Sequence, residues 1–101
     1  MSPRIGSFQV QQAQLDALAE GAEEGAPVSG VTTLHEHRMR YLVTRGPDRT
    51  LLLLEGESPP AGCPSVVNIF HRPHGGPWRH VCAALAPGGM SPIGDYQRSR
   101  N

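Results

Sequence analysis

The chain has 101 residues, enough for one domain and too few for two. Hydrophobic residues make up 38% of it and aromatic residues 5%, while 12 Gly and 10 Pro interrupt the rest, so a thin core and many loops are expected. Nine Arg balance nine Asp and Glu, which removes the global field that drives non-specific binding to nucleic acid or to an acidic membrane.

Charge is nevertheless polarised along the sequence. Through Glu36 one basic residue, Arg4, stands against five acidic ones; from His37 onward eight Arg stand against four acidic residues. The two cysteines, Cys63 and Cys82, form no C-x-x-C, so neither a zinc ribbon nor a thioredoxin-type pair is indicated and free thiols are expected. No apolar stretch follows Arg4 as a secretory signal requires, and the longest apolar run, LLLL at 51–54, is too short for a bilayer. A cytoplasmic chain without membrane attachment is expected.

Ser7 stands where a helix N-cap belongs, and Phe8, Leu15, Leu18 and Ala22 recur at helical spacing. They predict an amphipathic helix over about 8–20, fraying toward 24, that Gly25, Ala26 and Pro27 end. The alternation in FQVQ offers a short strand there as the alternative. After the GAPVSG break the period changes from 3.6 to 2. In VTTLHEHRMRYLVTR, one strand face carries Thr33, His35, His37, Met39, Tyr41 and Val43, and this odd-numbered face is the one expected to be buried. RGPDR carries turn chemistry and TLLLLEG a further strand, so a hairpin over 38–55 is expected at the centre of a sheet. With 46–49 as the turn, Arg40 lies opposite Glu55, Tyr41 opposite Leu54 and Val43 opposite Leu52, and a slip of one residue would break all three pairs. Both faces of 51–54 are apolar, as in a central strand covered by the helix on one side and partly covered on the other.

ESPPAGCPS is a loop by composition. VVNIFHR predicts a third strand, with Val67, Ile69 and His71 on one face and Val66, Asn68 and Phe70 on the other. WRHVCAAL alternates as a fourth strand with Trp78, His80 and Cys82 on one face; a short helix opened by Pro77 is the alternative. APGGMSPIGDYQRSRN has no period and is expected to be irregular, with mobile ends at 1–6 and about 92–101. The expected fold is one α+β domain over 1–101, in which an N-terminal amphipathic helix packs on a small antiparallel sheet of three to four strands. The order of helix and three strands, with a helix at 78–86 on the alternative reading, resembles that of double-stranded RNA-binding domains. Those modules grip phosphate through a Lys-rich second helix. This chain has no Lys and places Ala83, Ala84 and Ala86 there, so a nucleic-acid role is not expected.

Two stretches could carry chemistry. His35 and His37, two apart on a strand, would point to the same side about 7 Å apart. With His71, or with His74 or His80, they could ligate Zn or Fe. FHRPHGGPWRH gathers three His, two Arg and a Trp around a Gly-Gly turn. No nucleophile elbow, phosphate loop or dinucleotide fingerprint is present, and Cys82 and His80 on a strand would share a face without bonding. No catalytic residue is therefore assigned and no cofactor expected. The first reading is a small non-enzymatic interaction or regulatory domain, of the adaptor, inhibitor or immunity type. Arg38, Arg40, Arg72, Arg79 and Trp78 would meet a partner that is another protein or a second copy of the chain. The alternative is a His-ligated metalloprotein or metal-dependent enzyme using His35, His37 and His71.

Overall fold

The computed structural model describes residues 4–5, 8–56, 65–86 and 91–99 of the chain. Two short strands, β1 (Arg4–Ile5) and β2 (Phe8–Gln9), pair with each other and lead into α1 (Gln12–Ala19). Five strands follow: β3 (Val28–Leu34), β4 (His37–Arg45), β5 (Arg49–Gly56), β6 (Ser65–Pro73) and β7 (Arg79–Ala86). A second helix, α2 (Pro92–Ser99), comes last. The five strands form one antiparallel sheet in chain order, with β3 and β7 at its edges.

This α+β architecture corrects the expected one at both ends. The sheet has five strands instead of three to four, and the tail expected to be irregular carries α2. The N-terminal helix is also shorter than the spacing predicts, because Phe8 and Gln9 are taken up by β2, the alternative that FQVQ offered. Gln11 is its N-cap, and the Gln11 N–H donates to Gln14 Oε1 at 2.9 Å. Ser7, the expected cap, lies outside the described residues, as does Cys63 with most of the loop around it.

The extra strand comes from the stretch read as one continuous strand. His35 and Glu36 have φ of 49° and 66° and make a two-residue turn, with Leu34 directly opposite His37. Positive φ at both central residues is the signature of a type I′ hairpin turn, whose twist matches that of the flanking strands. Such a turn inverts side-chain parity. Val28, Gly30, Thr32 and Leu34 of β3 share a face with Met39, Tyr41 and Val43 of β4, so Thr33 and Met39, expected on one face, lie on opposite ones.

The β4–β5 register is the one expected, with Arg40 opposite Glu55, Tyr41 opposite Leu54 and Val43 opposite Leu52. In β6, Phe70 and Asn68 stand opposite Leu52 and Leu54, which continues the alternation. Residues 79–86 form a strand, the favoured of the two readings, but its register shifts. Cys82 faces Ile69 and His80 faces Phe70, which leaves Val81 as a bulge and turns His80 and Cys82 to opposite faces of the sheet.

The core lies between α1 and one face of the sheet. Val43, Leu52, Leu54 and Phe70 are fully buried there against Val10 and Leu15. Each such side chain contributes about 1.5–3 kcal/mol relative to exposure. Tyr41 lies flat across Gly30 in β3, where a Cβ would come within 2.9 Å of the Tyr41 Oη, so only glycine admits the ring. The opposite face is covered over part of its area by α2, which buries Ile93 and Gly94. No helix among the described residues is long and apolar enough to cross a membrane.

Candidate functional site

Arg72 and Trp78 of FHRPHGGPWRH are drawn inward to hold α1. Trp78 is 2% exposed and donates from Nε1 to Asp16 Oδ1 at 2.8 Å. Arg72 Nη1 donates to the same oxygen at 2.5 Å, and its Cζ lies 4.9 Å from the centroid of the Trp78 ring. The Gln12 side chain accepts from the Trp78 N–H at 2.7 Å and donates to the Trp78 carbonyl at 3.0 Å. Four contacts thus clamp the first turns of α1 to the end of β6 and the β6–β7 connection, and both Arg72 and Trp78 are engaged within the chain. The other three arginines do not join them. Arg38 and Arg79 are exposed, and Arg40 is half-buried beside α2.

The histidines do not converge either. His35 sits in the β3–β4 turn and His37 opens β4, whereas His71 lies in the row Thr44, Leu51, His71, Arg79 near the other end of the sheet. His37 and Thr44 are seven residues apart along β4, about 23 Å at the strand rise. The H-x-H spacing also loses its same-side geometry once His35 is part of a turn. His80 Nε2 meets Asn68 Oδ1 at 3.0 Å and its ring packs 5.1 Å from that of Phe70. Among the described residues no group of three His, Cys, Asp or Glu could hold a metal ion.

Two polar features gather under other elements. Arg45 and Arg72 flank Thr50 across β4, β5 and β6, and with His74, Gly75 and Gly76 they line an open cup of about 430 Å³. Glu23 and Glu24 line the adjoining cup with Arg45, and Asp16 already holds Arg72, so the acidic neighbours offset the field an anion would need. On the opposite face, Glu55 is completely buried. Its Oε1 accepts a short hydrogen bond from the Ser91 hydroxyl, and the Ser91 Oγ in turn accepts from the Gly94 N–H at 3.1 Å. Ser91 therefore caps α2 while tying it to β5, and the helix N-terminus faces the carboxylate. Glu55 Oε2 has no hydrogen-bond partner among the described residues.

The feature that sequence reasoning missed is the open edge of β7. Seven of its eight residues are exposed, with Val81 at 55% and Leu85 at 71%. Within it, only Arg79 carries a formal charge and no proline interrupts it. Among the described residues nothing pairs with its outer side, so its unpaired backbone groups are open to another strand. The β3 edge is different, because Gln97 of α2 donates from Nε2 to the Gly30 carbonyl at 3.1 Å and occupies part of it. An apolar row runs up to the open edge across one face: Leu42, Leu53 and Ile69 are half-buried, and Cys82 is exposed. The sequence signal for this edge was the uncharged run VCAALA following Arg79 and His80.

Comparison with protein-family models, with curated proteins and with solved structures finds no match to this chain.

Proposed function

We propose that the chain is a small non-enzymatic protein-interaction domain that takes its partner by strand addition along β7. The observation that carries this reading is the open edge: a strand that carries no charge beyond Arg79, is exposed on both faces and, among the described residues, has no neighbour along its outer side. Natural sheets blunt such an edge with charges, proline or a covering element. Main-chain hydrogen bonds supply affinity in strand addition, and alternate side chains supply specificity. The surface is therefore centred on Val81, Cys82, Ala84 and Leu85, with Arg79 at its rim, instead of on the cluster of arginines and Trp78 that composition suggested.

A photo-reactive substitution, Leu85→p-benzoylphenylalanine, tests this in cells that make the chain, with the same substitution at the exposed Ala13 of α1 as control. Adducts to a polypeptide are expected at 85 and not at 13. No adduct at 85, or equal adducts at both positions, overturns the reading.

A further inference from the structure

We infer that the strand added to β7 is the β7 of a second copy of this chain, paired antiparallel about Ala84, which joins two five-stranded sheets into one sheet of ten. This inference rests on the strand-addition reading and names its partner.

Register follows from the bulge. Directly opposed residues of an antiparallel pair point to the same face, so self-pairing requires a two-fold axis at a residue. The regular stretch after Val81 runs over 82–86, and its midpoint is Ala84. About that axis Ala84 meets Ala84 of the second copy, Ala83 meets Leu85, and Cys82 meets Ala86. No charge is opposed to a like charge in any of these pairs. Arg79 lies outside the paired stretch, and the antiparallel arrangement sends the two copies of Arg79 to opposite ends; a parallel one would stack them. The Ala83–Leu85 pairs extend the apolar face on which Leu85 already stands opposite Val66, 42% exposed.

The rest of the described fold leaves room for this pairing and closes it at two copies. Both α1 and α2 pack against β4, and although α1 reaches the β6–β7 connection through Gln12 and Trp78, neither helix pairs with the outer side of β7. Pairing β7 with the β3 of another copy would instead be head-to-tail and would propagate as a filament. The Gln97 contact with Gly30 stands against that pairing, because it occupies a backbone acceptor of β3. A pairing of five residues is short beside a standard interface of about 1,600 Å². The dimer is accordingly concentration-dependent.

Sedimentation equilibrium of the full chain and a charge exchange at the two-fold axis test the proposal together. The unsubstituted protein is expected to shift from monomer to dimer with rising concentration. Ala84→Glu and Ala84→Lys each put like charges face to face and weaken the dimer roughly fivefold. An equimolar mixture of the two variants restores it. Ala84 is exposed, so both variants keep the monomer fold, which circular dichroism checks. A monomer at all concentrations, dimers unaffected by either substitution, or a mixture no stronger than its components overturns the pairing. If the chain stays monomeric while position 85 cross-links to a different polypeptide in cells, self-pairing falls and strand addition stands.

Discussion

Leu85 stands directly opposite Val66 on one face of the β6–β7 pair, and both are open to solvent, at 71% and 42% exposure. This leucine, next to the last residue of a register-defined strand, packs against nothing on its outer side among the described residues. This separates the residues that hold the monomer together from those available to a partner, and the two sets respond differently to substitution.

Leu85→Ser is expected to change monomer stability by no more than about 0.5 kcal/mol, the range of surface substitutions. Leu52→Ala, at a fully buried position two strands away, costs about 2–5 kcal/mol. Urea denaturation at low protein concentration compares the two. A large loss for Leu85→Ser would mean that Leu85 is part of the monomer core.

Asp16→Ala removes the acceptor shared by Trp78 and Arg72 and leaves the buried indole N–H without its partner. A loss of about 1–3 kcal/mol is expected, most of it from the indole, because the Arg72 pair is partly exposed and screened. Trp78 is the only tryptophan, so its emission reports the same event, with a red shift as α1 loosens. Unchanged stability and emission would show that the clamp does not hold α1.

Glu36→Gly relieves a side chain held at φ 66° in the β3–β4 turn. Non-glycine residues pay about 1–2 kcal/mol in this region, and glycine returns part of that gain as chain entropy in the unfolded state. A net stabilisation of about 0.5–1 kcal/mol is expected in thermal or chemical melts. Destabilisation would mean that the Glu36 side chain supplies more than the turn costs.

Ser91→Ala deletes the cap of α2 and leaves both oxygens of the buried Glu55 carboxylate without a described partner. The cap contributes about 1 kcal/mol and the bond to the charged group about as much again or more, so a loss of about 2–3 kcal/mol is expected. Gly94→Ala acts on the same point, because its Cβ would fall 2.6 Å from the Ser91 Oγ. A helix-favouring substitution is therefore expected to destabilise. A double-mutant cycle between Ser91→Ala and Glu55→Gln measures the coupling, which additive effects would refute.

The sequence was legible where local chemistry and tertiary structure agree. The hairpin register over 38–55 follows from a turn signal at Gly46 and Pro47 together with the Arg40–Glu55 and Val43–Leu52 pairs. The β3–β4 turn escaped because His35 and Glu36 are not the Asn-Gly or Asp-Gly pair that marks such a turn, and because parity inverts silently across a two-residue turn. Helix α2 escaped because it buries only Ile93 and Gly94, too little for an apolar stripe. Its Ser91-Pro92 start was the available cue.

The clamp on α1 was hidden in the sequence for a different reason. Trp78 and Arg72 read as a surface because Asp16 and Gln12, which bond them, are distant in sequence, 62 and 66 residues from Trp78. The open edge could be recognised only once the strand order was known, since any uncharged strand is harmless in the interior of a sheet.

Amide hydrogen exchange of the purified chain at low and high protein concentration tests the account most directly. The outward amides of 82–86 are expected to exchange freely when dilute and to become protected as concentration rises, while β3 and the interior strand β5 stay unchanged. Equal exchange of 82–86 at every concentration, or protection that appears on β3 instead, would contradict it.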